Sequence, residues 1–148
     1  MRDEKEPSVT QDTVPNTLWW FAVVAVAAWL LWMTLRSQGQ ASADLAYITT
    51  PAAASGISIR FLIDILGNVI VFVPLGAAAA FALTGKPLKR RLLASIAIGA
   101  ALSATIELTQ FSIPSRVSAW DDWLLNTLGT FIGAVIASIL IDKCRANC

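Results

Sequence analysis

Four apolar stretches run through this sequence, each close to 20 residues and each bounded by polar or basic segments. They fall at about residues 17–35, 61–84, 92–112 and 123–141. At a helical rise of about 1.5 Å per residue, runs of this length cross the roughly 30 Å hydrocarbon layer of a bilayer. The pattern predicts an all-α polytopic membrane protein: four transmembrane helices in a small bundle. Residues 1–16 form a polar tail, 36–60 a loop rich in Ala, Ser and Thr, 61–141 the core, and 142–148 a second short tail. Pro74 interrupts the second run; a kink there is tolerated when neighbouring helices pack around it.

The first run has a competing reading. Ala41-Ser42-Ala43 resembles a signal-peptide cleavage site. Against it, the preceding segment carries more acid (Asp3, Glu4, Glu6, Asp12) than base (Arg2, Lys5), and Arg36 follows the run directly. Trp19 and Trp20 at one end and Trp29 and Trp32 at the other suit the two interfaces of a retained span.

Basic residues set the expected orientation. With four spans, the N-terminal tail, the 85–91 turn and the C-terminal tail share a side. They carry Arg2, Lys5, Lys86, Lys89, Arg90, Arg91, Lys143 and Arg145, whereas the other side carries Arg36, Arg60 and Arg116. The positive-inside bias predicts both termini in the cytoplasm, an N-in/C-in topology.

Polar residues inside the spans now acquire a common depth. Asp64 and Asn68 lie near the start of the second run, Glu107 and Gln110 near the end of the third, and Asp122 and Asn126 near the start of the fourth, with Arg116 in the connecting turn. All face the extracytoplasmic side, within roughly two turns of the interface. The spacing of four within Asp64/Asn68 and Asp122/Asn126 puts each pair on one helix face. Ser95, Gly99, Ser103 and Glu107 repeat at the same interval, as do Gly129, Gly133 and Ala137; small residues so spaced let membrane helices approach closely. The expectation is a polar pocket, open to the outside, above packed helix seams. An ionisable side chain in a span is costly and marks a candidate site. Glu107 is the clearest case, since no cation neighbours it in sequence. The plainer roles are helix capping for Asp121 and Asp122, with Ser118 completing a capping box, and interhelical hydrogen bonding for Asn68 and Asn126.

Composition narrows the chemistry. Of 148 residues, 56% are apolar and 14% charged, a membrane-protein balance. The net charge of +1 gives no reason to expect nucleic acid. No histidine is present, which removes the commonest general base and zinc ligand. Ser103 and Ser112 therefore have no histidine to activate them as nucleophiles. Cys144 and Cys148, confined to the tail, make neither a disulfide framework nor a metal site. No cofactor and no metal is expected, although Asp64, Glu107 and Asp122 are oxygen donors that a hard divalent ion could use.

The polar residues also resemble those of the VanZ-like family of bacterial membrane proteins. The matching pieces are Asp64-x-x-x-Asn68-x-x-x-Phe72-x-Pro74-x-Gly76, Glu107-x-x-Gln110, Arg116, and Asp122-x-x-x-Asn126 with Gly129. They span about residues 60–140. The resemblance implies a multi-pass protein of the bacterial cytoplasmic membrane, in a family named for a protein associated with teicoplanin resistance. Three functions stay open. One is binding of a lipid-linked wall precursor or lipophilic glycopeptide at the outer face. Another is acid–base catalysis on a lipid-linked substrate by Glu107 or Asp122, with Arg116 holding a phosphate or carboxylate. The third is a structural or assembly role.

The topology is directly testable. Reporter fusions after Gly85 and at the C-terminus should both report a cytoplasmic location; an external signal at either point overturns the orientation.

Overall fold

The computed structural model describes residues 16–35, 59–111 and 120–147, with the backbone alone at Leu35, residues 59–64 and Phe111. Four helices make up the described chain: α1 (Asn16–Leu35), α2 (Ile59–Ala82), α3 (Leu88–Phe111) and α4 (Trp120–Ala146). No strand occurs among the described residues. Each helix is long and apolar enough to cross a membrane. Large apolar side chains such as Phe21, Val24, Ile70, Leu93, Leu108 and Ile139 point outward. A face of that kind suits lipid, not water.

Successive helices run antiparallel. Trp19 near the start of α1 stacks on Phe81 near the end of α2, with ring centroids 4.4 Å apart. The guanidinium of Arg145 at the end of α4 donates to the Thr84 carbonyl at 2.6 Å. The two outer helix ends and the 83–87 turn therefore share one end of the bundle, termed here the basic end. The opposite, acidic end holds the start of α2, the end of α3 and the start of α4.

Two boundaries differ from the sequence reading. Helix α3 begins at Leu88, so Leu88–Arg91 form a helical turn within the stretch read as a basic loop. Pro87 explains this: its missing N–H is no loss at a helix start, and its carbonyl accepts from the Arg91 N–H at 2.9 Å to close the first turn. Helix α4 begins at Trp120 and runs to Ala146, with Asp121 and Asp122 in its first turn and Lys143 and Arg145 in its last. That placement complements the helix dipole at both ends. Helix α2 continues through Pro74, which lies on the exposed side.

Helix α2 meets all three other helices, and α4 meets α2 and α3 on different faces. Toward α2 the backbones touch. A Cβ built on Gly76 would fall on the Thr130 carbonyl, one on Gly129 on the Val69 carbonyl, and one on Gly133 on the Val73 carbonyl. Toward α3, Gly99 leaves room for the Thr130 side chain. Hydrophobic side chains complete the packing: Phe72, Leu75, Ala78 and Ala79 of α2 bury with Val23 and Leu30 of α1 and Ile106 of α3.

The α3–α4 seam is polar along much of its length. Arg91, Ser95, Gly99 and Ser103 recur every fourth residue and are all buried. Arg91 is only 1% exposed; its Nε donates to Ser138 Oγ and its Nη2 to Asp142 Oδ1, both at 3.0 Å. The sequence counted Arg91 as one more basic loop residue. Its position four residues before Ser95, in the same small-residue stripe, was the available signal.

The glycine seam can be tested by single substitutions. Gly76→Ala, Gly129→Ala and Gly133→Ala each force backbones apart and should cost about 1–3 kcal/mol, read by thermal unfolding in lipid or detergent. Gly67→Ala meets nothing within 4 Å and should be neutral or stabilising. Equal losses at Gly67 and Gly133 would contradict the seam.

Candidate functional site

At the acidic end the site is built from the first turns of α4 upward. Asp122 lies in the opening turn and Asn126 one turn deeper on the same face. The Asn68 amide, two turns into α2, donates from Nδ2 to Asp122 Oδ1 at 2.7 Å. Both side chains are half-buried, and the bond ties α2 to α4. A short hydrogen bond to a carboxylate is of the stronger, charge-assisted kind. Asp122 thus does more than cap its own helix.

Asn126 faces α3. Its Nδ2 donates to Ser103 Oγ at 2.9 Å, and the residue is 5% exposed. Its Oδ1 is buried and accepts no hydrogen bond from the described residues. Below it, Thr130 Oγ1 donates to the Asn126 backbone carbonyl at 3.0 Å. Ser103 is itself fully buried, so the hydroxyl weighed as a nucleophile serves as the acceptor for Asn126. The nearby Trp123 indole N–H donates to the Ala100 carbonyl at 3.0 Å, a second tie between α3 and α4.

Glu107 lies one turn beyond Ser103 on the same side of α3 and is half-buried, as is Gln110. Asp64 is on α2, one turn before Asn68, where the backbone alone is described. Arg116, Ser112 and Ser118 lie outside the described residues. The structure therefore joins Asn68 to Asp122 and Asn126 to Ser103. It positions Glu107 and Gln110 by helix and depth. Among the described residues no group of three or more His, Cys, Asp or Glu comes together to hold a metal ion.

In the sequence Ser103 was legible as a member of the small-residue stripe and as a hydroxyl with no histidine to activate it, not as a partner of Asn126. Its role depends on the rotation of α3 against α4, which spacing alone does not supply. Asp122 and Asn126 bring a carboxylate and a carbonyl to this site, both acceptors, and Glu107 adds a second carboxylate at a similar depth on α3. Such an arrangement can hold a polar group at the membrane boundary or exchange a proton with it.

Among known families, the model described as VanZ/LLP1 matches residues 18–141. No curated protein and no solved structure matches the chain.

Proposed function

The chain belongs to the VanZ/LLP1 family, and on that footing we propose that it acts at the extracytoplasmic face of a bacterial cytoplasmic membrane. There it binds a lipid-linked wall precursor or a lipophilic glycopeptide and contributes to teicoplanin-type resistance. The observation that carries this reading is the polar cluster at the acidic end. Asn68 and Asp122 are joined across α2 and α4, with Asn126 one turn deeper. The orientation rests on the opposite end. Lys86, Lys89, Arg90, Lys143 and Arg145 are exposed there, and such residues favour the cytoplasm. The acidic end then faces outward, where a wall precursor or an incoming glycopeptide meets the membrane.

One set of observations favours a different role. Asn68–Asp122 and Asn126–Ser103 are also bonds of the kind that fix helix register in membranes. A subunit whose polar residues act only as such ties would be an assembly protein. Charge separates the two readings, because an amide can replace a carboxylate in a structural hydrogen bond but not in charge or proton transfer.

Glu107→Gln is therefore the deciding substitution. It should lower teicoplanin tolerance to the level of cells lacking the protein, with membrane insertion and protein level nearly unchanged. Asp121→Asn, on the exposed first turn of α4, should be mild, since Asn also serves at a helix start. Wild-type tolerance with Glu107→Gln would shift the conclusion to the assembly role.

A further inference from the structure

We infer that the inner end of the polar cluster receives a hydrogen-bond donor, so that the part of the ligand reaching deepest is a hydroxyl, an amide N–H or an amine and not a phosphate. The inference rests on the proposed function and names the chemistry that its site selects.

Asn126 provides the observation. Its amide nitrogen is engaged with Ser103, while Oδ1 is buried and receives nothing. A buried carbonyl left without a donor costs about 1–3 kcal/mol, and native structures leave few of them. The neighbouring hydroxyls of α4 are committed elsewhere: Thr127 Oγ1 donates to the Trp123 carbonyl, and Thr130 Oγ1 donates to the Asn126 backbone carbonyl and packs against Gly99. One turn toward the acidic end, Asp122 supplies a further acceptor and holds the Asn68 amide. Among the described residues nothing in this ladder offers Oδ1 a proton, which leaves the carbonyl for a bound donor.

Charge at this end points the same way. Among the described side chains, Glu107, Asp121 and Asp122 lie at the acidic end, and no Lys or Arg side chain is described there. A phosphate brings negative charge and acceptor oxygens, and has nothing to give the Asn126 carbonyl. Sugar hydroxyls and peptide N–H groups can satisfy it. A lipid-linked disaccharide-peptide and a glycopeptide both present such groups, so one chemistry serves either source.

The test uses the full-length protein in bilayer nanodiscs and three probes: undecaprenyl-pyrophosphate-linked disaccharide-pentapeptide, bare undecaprenyl pyrophosphate, and teicoplanin. At least one donor-bearing probe should bind about tenfold more tightly than the bare pyrophosphate, the equivalent of one well-made buried hydrogen bond. Which of the two shows the preference identifies the source. The double variant Asn126→Leu/Ser103→Ala removes the carbonyl and its partner hydroxyl together. It should abolish the preference while melting close to wild type. Asn126→Asp keeps an acceptor and should retain the preference, which tests the inference even if the double variant does not fold. Equal binding of bare pyrophosphate overturns the inference, and is the result expected if the amide presents its NH2 inward. Survival of the preference in the double variant overturns it too and leaves Oδ1 to a resident water; so does its loss in Asn126→Asp. If no probe binds, the proposed function itself falls, and the inference with it.

Discussion

Thr130 is the point at which three helices are held. Its backbone carbonyl lies where a Cβ on Gly76 would be, and its side chain where a Cβ on Gly99 would be. Between helices in lipid there is little hydrophobic driving force, so close packing and hydrogen bonds decide the arrangement. With Thr130 seated between two glycines, α2, α3 and α4 have little freedom to slide or rotate. Gly129 and Gly133 repeat the backbone contact with α2 on either side. The polar residues above inherit their positions from this seam: Asn126 meets Ser103 one turn up, and Asp122 meets Asn68 a turn beyond.

The same seam ends differently at its two extremities. At the basic end Arg91 is buried with its guanidinium bonded to Ser138 and Asp142, and Arg145 closes on the Thr84 carbonyl. A buried cation tolerates that position only when paired, and here it is. At the acidic end the buried amide of Asn126 keeps an acceptor unused. One end is internally satisfied and the other is not. That asymmetry, more than the number of polar residues, is why the acidic end carries the functional reading.

Much of this was legible in the chain. Apolar run length gave the four spans, and the interval of four in Ser95, Gly99 and Ser103 gave a face that the structure buries. The Asn68 and Asp122 side chains were placed at one depth by topology alone, and they meet. What could not be read was which faces turn toward each other. Gly76 belonged to a recognisable motif, but its partner, Thr130, follows only from the crossing of α2 and α4. Arg91 was hidden among Lys89 and Arg90, where charge drew attention away from helical phase. The unsatisfied Asn126 carbonyl depends on a hydrogen-bond tally that no spacing supplies. Asp64 and Arg116 stand as sequence expectations, their side chains lying beyond what the structure describes.

The central claim is that the glycine seam brings the polar groups of α2 and α4 together at one end of the bundle. A double-mutant cycle on Asn68→Ala and Asp122→Ala, scored by unfolding in a lipid bilayer, measures it most directly. The 2.7 Å bond between them should appear as a coupling of about 1 kcal/mol. Strictly additive losses, with coupling indistinguishable from zero, would mean that the two helices do not hold these groups together, and would contradict the site built on them.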